Sequence, residues 1–309
     1  MTFSTIADYC RQAQRRLDEL VTDSSELAAW FDLAAVAESV CSLWQYRGYN
    51  NVPPEISAIW AQVHEQFGKK DAGLFNRMLL YKLISTSAPR LLKADLPQRI
   101  VHDYEEAFDR ILRKLEMLPS PYSDPDDDVF LKDLGISAQT VFVAGYYVLN
   151  PGKRINRKLL FSGGLGQFLR FFWLSVLKYR RTGPFLLAHC HDDHKAKFTP
   201  EGRVETFKTI VEFLIRRPEY KAVVGSAWYY DPVLRSISPH LAYVRHLPEA
   251  NGAYFFRGLP TMHNGVFTSK SRRRLFEDGK YVPRNYTMVW PRDRLISWAA
   301  RLAEGTTQP

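Results

Sequence analysis

Only three of the 309 residues are cysteines, Cys10, Cys41 and Cys190. They are too few and too scattered for a disulfide framework, and a reducing compartment suits them. No stretch reaches the ~18 uninterrupted apolar residues of a membrane-spanning helix. The closest, Phe168 to Leu177, is short and interrupted by Arg170. The opening MTFSTIADYCRQAQRR has no apolar signal core, so the expectation is a cytoplasmic protein with no membrane partner. Glycine (17) and proline (18) are not in excess, and neither a low-complexity tract nor an internal repeat occurs, which excludes collagen-like and disordered chains.

What is present is an ordinary globular share of apolar residues, 46%, with an excess of positive charge. Lys and Arg number 42 against 33 Asp and Glu, giving +9. A field of that sign concentrates anions, whether phosphorylated metabolites, acidic substrates, lipid headgroups or nucleic acid. An anionic small molecule is the favoured partner and nucleic acid a secondary one. Basic residues are locally dense at Lys178, Arg180 and Arg181, and at Arg272, Arg273 and Arg274.

From residue 5 to about 117 apolar residues recur at intervals of three and four, the helical period. Ile6, Cys10, Ala13, Leu17 and Leu20 make the first stripe. Asp23 and Glu26 form a capping signal for a second helix to about Arg47, and Pro54 and Gly68 bracket a third. Two more cover about 72–87 and 97–117. The prolines and aspartates of 119–128 then read as a linker between a helical region, 1–118, and a domain over 129–301, with a tail at 302–309. Asp124, Asp126 and Asp128 alternate as in a calcium loop. The Gly and Glu places of that pattern hold Val129 and Gly135, so calcium is rejected.

Beyond the linker, strand-like stretches (140–149, 158–161, 184–189, 221–230, 253–257, 286–290) alternate with helical ones (163–179, 203–216, 270–277). The fold class is therefore α/β or α+β, a helical N-terminal region packed on a mixed-sheet domain.

Three of the eight histidines fall within His189-Cys-His-Asp-Asp-His194. Crowded imidazoles and carboxylates are most economically explained by a divalent transition metal, zinc or iron, at the carboxyl end of a buried strand. The alternative is a loop hydrogen-bonded to its own aspartates. The spacing His-x-His-x-Asp-His over Leu186 to Lys195 resembles the signature of the metallo-β-lactamase superfamily. That resemblance implies one ion on His189 and His191, a second on Asp193 and His194, and activated water for hydrolysis, with Asp193 as ligand or general base. No bridging aspartate is evident. A second arrangement uses His191, Asp193 and a distal His263 as the facial triad of a non-haem iron oxygenase, with Arg272 for a 2-oxoglutarate carboxylate. No Glu and Glu-x-x-His pairing supports a di-iron bundle, and His64 and His102 read as surface residues.

Gly163, Gly164 and Gly166 open a helix and offer free amides to a phosphate. The sequence has neither a P-loop ending nor a dinucleotide fingerprint. With Ser271 to Tyr281 as a late helix, the turn resembles the pyrophosphate cradle of a family of coenzyme A-dependent acyltransferases, although Phe161 stands where that family carries Arg or Gln. The aromatic segments 171–173 and 228–230 are read chiefly as core, with Trp228 and Tyr230 able to border a substrate pocket. A metal-dependent hydrolase acting on an anionic small molecule ranks first, followed by the iron oxygenase, the acyltransferase and a nucleic-acid-binding protein without activity.

Overall fold

The computed structural model describes residues 4–44, 48–117, 121–180 and 183–305. Arg47, Pro119, Ser120, Arg181 and the end of the expected tail, 306–309, lie outside the described residues. The chain is an α/β protein made of two compact units. One is Met1–Pro151 with Cys190–Lys195, and the other is Gly152–His189 with Ala196–Pro309.

The first unit begins with α1 (Ser4–Asp23), α2 (Ser25–Trp30) and α3 (Leu33–Leu43). Ile6, Cys10, Ala13 and Leu17 are all buried, as their spacing predicts. The helix expected over 23–47 is broken because the Asp32 side chain accepts the Ala34 and Ala35 N–H groups and so starts a new helix. Next come α4 (Pro54–Ser85), α5 (Ala88–Lys93), α6 (Gln98–Leu115) and α7 (Asp128–Ala138). Within α4 the backbone leaves helical geometry at Gly68 (φ 78°, ψ 177°), where sequence places a helix end. The aspartate-rich segment lies inside this unit, and the unit boundary falls after Pro151. Asp127 caps α7, a helix the sequence reading did not foresee, by accepting from Val129 and Phe130.

The strand expected over 140–149 is two strands, β1 (Phe142–Ala144) and β2 (Tyr147–Gly152), paired antiparallel with Ala144 opposite Tyr147. Gly145, at φ +57°, supplies the left-handed turn residue between them.

In the second unit, Arg157–Leu160 is a 3-10 turn capped by Asn156, in place of an expected strand. There follow α8 (Gly164–Phe172), continued by a π-helical stretch Trp173–Lys178, then β3 (Phe185–Cys190), α9 (Pro200–Arg216) and β4 (Ala222–Ala227). The chain goes on through α10 (Leu234–Ile237), α11 (Ala242–Ala250), β5 (Tyr254–Pro260), α12 (Lys270–Glu277), β6 (Arg284–Pro291) and α13 (Arg292–Ala303). The sequence reading missed α10, α11 and α13.

Strand order here is β3-β4-β6-β5. β3 and β4 are parallel and joined through α9, whereas β6 runs antiparallel to both β4 and β5. Side chains alternate between the two faces. Val224 and Val289 join Phe171, Leu174, Phe185 and Phe256 in the core beneath α8. Trp290 points to the other face, against Phe207 of α9 (ring centroids 4.8 Å) and Trp298 of α13 (5.4 Å).

Candidate functional site

Two places in the molecule gather chemistry, one in each unit. In the first unit, Arg110 and Lys114 stand one turn apart on the same face of α6. α7 brings in Asp133, fully buried, and the segment after β3 brings in His191 and Asp193. Arg110 grips Asp133 with both terminal nitrogens, Nη1 to Oδ2 at 2.9 Å and Nη2 to Oδ1 at 2.6 Å, the bidentate geometry of a strong guanidinium–carboxylate pair. The Tyr122 hydroxyl donates to Asp133 Oδ2 at 2.8 Å, and His191 Nε2 lies 3.0 Å from Oδ1. Asp193 Oδ2 takes Arg110 Nη1 at 2.9 Å and also the Lys114 ammonium.

The tautomer of His191 follows from its neighbours. Nδ1 accepts the Asp193 backbone N–H at 3.2 Å, which leaves Nε2–H to donate to Asp133. His191 is also tied through its N–H to Tyr146 O, and its ring stacks on His194 at 4.9 Å. His194 Nδ1 donates to Gly145 O at 3.0 Å.

Burial works against charge on Asp133, but the Arg110 guanidinium and the His191 hydrogen bond outweigh it and hold the carboxyl well below the usual range. Asp193 is likewise partly desolvated, yet Lys114 and Arg110 lower it. Both carboxylates are therefore ionised at neutral pH, Asp133 against Arg110 and Asp193 against Arg110 and Lys114. The cluster is balanced as it stands.

Among the described residues, Asp133, His191 and Asp193 are the set whose ligand atoms all lie within 4.8 Å of one another. The structure thus brings together two of the residues singled out by sequence, His191 and Asp193, and adds Asp133. The donor set fits a divalent ion poorly. Asp133 has both oxygens engaged, His191 has both nitrogens engaged, and an ion at this point would meet Arg110 and Lys114. Of the remaining sequence candidates, His194 stacks on His191 but is committed to Gly145 O, and His189 and His263 are not part of the set. His189 belongs to the second unit, and His263 Nδ1 accepts the Gly265 N–H at 3.0 Å to cap a 3-10 turn. Asp133 had a signal in the sequence, a charged residue within the apolar run FLKDLGI, which a folded chain must pair.

Arg272 is buried, its guanidinium donating to Val266 O at 2.8 Å and Ser238 Oγ at 3.0 Å and lying over Trp228 at 4.8 Å. Tyr230 is buried beneath Arg203 and Phe255 in the core of this unit, whereas Trp228 is half-buried under the Arg272 guanidinium. At the glycine turn, a Cβ on Gly163 would meet the Gln167 side chain at 2.3 Å. That amide bridges α8 to β5, accepting from Arg257 N at 2.7 Å and donating to Arg257 O at 2.9 Å. Gly164 sits at φ +77°, and Gly166 has open space around it.

The second place is a cavity of about 280 Å³ within the second unit. Ile155, Phe168, Phe171, Phe172, Val176 and Phe185 wall it, and Ser175 is the hydroxyl among them. Arg154 and Arg157 also line it, and both are exposed. Its volume is near the lower end of the roughly 300–1,000 Å³ of small-molecule pockets, and its chemistry is an apolar chamber with cationic groups at its edge.

No family model matches the chain, and no curated protein does. A solved structure described as "The crystal structure of acyltransferase in complex with decanoyl-CoA" is similar at 14% identity, covering 94% of this chain and 99% of that one, with a TM-score of 0.49. A likeness of that degree does not establish a shared fold.

Proposed function

We propose that the protein is an acyl-transferring enzyme that draws its acyl group from a coenzyme A thioester, with the acyl chain held in the cavity under α8. The observation that carries this reading is the pairing of an aromatic, apolar chamber with Arg154 and Arg157 at its edge. Such a chamber suits a ligand with a long apolar tail and a phosphorylated head, because the tail gains burial and the head gains two guanidinium partners. The amides of the glycine turn at the start of α8 add further donors for phosphate on the same helix that walls the chamber. In the reaction the thioester C–S bond breaks, an acceptor amine or hydroxyl forms the new bond to the acyl carbon, and the acceptor's proton leaves with the thiol.

The His191 cluster is read as a structural ion-pair network that fixes the segment after β3 to α6 and α7. A metal-dependent hydrolase is the second reading, favoured by the mutual proximity of Asp133, His191 and Asp193. It requires the ion to displace Arg110 and Lys114.

Calorimetry with acyl-coenzyme A thioesters of increasing chain length, alongside thiol release in the presence of amine acceptors, tests the first reading. Affinity should rise with tail length, at up to ~0.8 kcal/mol per methylene buried, until the chamber is full. A Ser175→Trp substitution, which fills the chamber, should weaken binding at least tenfold, and a chelator should change nothing. Affinity independent of tail length, or turnover that chelation abolishes, would defeat it.

A further inference from the structure

The helix that roofs the cavity has an outer face of unusual composition. Leu165 (74% exposed), Leu169 (58%), Trp173 (45%) and Leu177 (60%) follow one another at intervals of four, an apolar stripe turned to solvent, and Phe161 (81%), which ends the preceding 3-10 turn, is exposed just ahead of the helix. Phe172 is exposed beside it. Soluble proteins seldom leave so extended a row of large apolar side chains uncovered without a partner. The segment that carries it is charged with one sign. Between Gly152 and Cys190 the chain carries eight Lys and Arg residues and no Asp or Glu. Lys153, Arg154, Arg157, Lys158, Arg170 and Arg180 are exposed, and Lys178 lies 3.5 Å from Asp293 of α13.

We infer that this face of α8 and its π-helical continuation is a docking surface for an anionic lipid bilayer, the helix lying in the interface plane with Leu165, Leu169, Trp173 and Leu177 inserted among the headgroups. An in-plane helix needs an apolar stripe, flanking Lys and Arg, and an interfacial aromatic, and all three are here. A second copy of this chain is the poorer occupant, since a two-fold contact would bring the same basic segment against itself. Nucleic acid is poorer too, because three of the four stripe residues are leucines, which offer bases no ring to stack on and gain most from an apolar phase. Surface attachment needs no spanning segment, so this departs from the expectation of no membrane partner. It rests on the outer face alone and stands or falls separately from the contents of the cavity.

Flotation of the intact protein with vesicles of phosphatidylglycerol and phosphatidylcholine, against pure phosphatidylcholine, tests the inference. The protein should float with the anionic vesicles, much less with the neutral ones, and the difference should shrink as salt is raised. Leu165→Glu with Leu169→Glu should cut vesicle binding at least tenfold with an unchanged circular dichroism spectrum. Trp173 fluorescence should be quenched by bromine-labelled lipid, and the quenching should be lost in Trp173→Phe. The inference is overturned if the protein stays with the buffer, if the double substitution floats like the parent, or if Trp173 is not quenched. It is equally overturned if the protein forms a dimer that the double substitution dissolves while vesicle binding persists.

Discussion

The segment after β3 and the segment before it handle charge in opposite ways. From Cys190 to Lys195 the two histidines are buried, and Arg110 and Lys114 neutralise the buried Asp133 of α7 and the more exposed Asp193, while Asp192 pairs with Lys195 at the surface. From Gly152 to His189, eight basic residues meet no acid within the segment, and large apolar side chains stand exposed beside them. Under the proposed reading of the cluster as structural, a balanced network yields position and specificity of packing. Uncompensated charge next to uncovered apolar surface is where binding energy remains to be gained. The conspicuous motif and the place best suited to a ligand are thus different stretches of one chain.

The sharpest way to break that contrast is to remove Asp133. If the cluster is structural, Asp133→Ala removes the bidentate partner of the mostly buried Arg110, leaving it Asp193 alone, and strips Tyr122 and His191 of their acceptor, and it should cost about 3–5 kcal/mol in urea unfolding. Asp133→Asn should recover part of this by keeping a hydrogen bond to Tyr122. A cost under about 1 kcal/mol, the range of exposed pairs, together with loss of stoichiometric zinc or iron from the purified protein, would move the cluster to the metal reading.

A smaller effect appears in acid. Asp133 and Asp193 are both held below the ordinary carboxylate value, so their contribution to stability is complete above about pH 4, where unfolded aspartates are ionised. As pH falls below that value, the unfolded chain binds protons that the native carboxylates do not, and stability declines toward the depressed native values. Urea midpoints measured between pH 5 and pH 2.5 should fall, and the slope should be shallower in Asp133→Asn and slightly shallower in Asp193→Asn, whose pairing is more exposed. Equal slopes in all three would mean that the network carries no net coupling.

The sequence made local structure legible wherever one residue type dictates geometry. Gly68, the stripe from Ile6 to Leu17 and the strand expected over 184–189, found at Phe185–Cys190, follow from glycine conformation and apolar pattern alone. It failed where a side chain resets the backbone, as Asp32 and Asp127 do by capping, and where Gly145 folds one β-rich run into a hairpin. In the cluster, His191 and Asp193 were visible because they are near neighbours. Arg110, Lys114, Tyr122 and Asp133 were not, because they reach the same point from up to 83 residues away, and no spacing rule links them. The amphipathic face of α8 escaped notice for another reason. A run such as LGQFLRFFWLSVL reads equally well as a core helix, and only its exposure in the fold separates the inward Phe171 and Leu174 from the outward Leu165 and Leu169.

The smallest expected change in folding stability belongs to the surface that matters most for the contrast. Leu165 and Leu169 face solvent, so Leu165→Glu with Leu169→Glu removes little buried area, and a carboxylate in the first turn or two of α8 is welcome to the helix dipole. The folding free energy should therefore change by no more than a surface substitution usually changes it, within about 0.5 kcal/mol per site in urea unfolding. Phe171→Ala on the inward face of the same helix should cost about 3–5 kcal/mol, because Phe171 is buried edge-on against Phe256 at 5.0 Å. If the outward pair destabilises the fold as much as the inward phenylalanine does, those leucines are covered by some part of the protein in solution, and the exposed apolar row on which the bilayer reading depends does not exist.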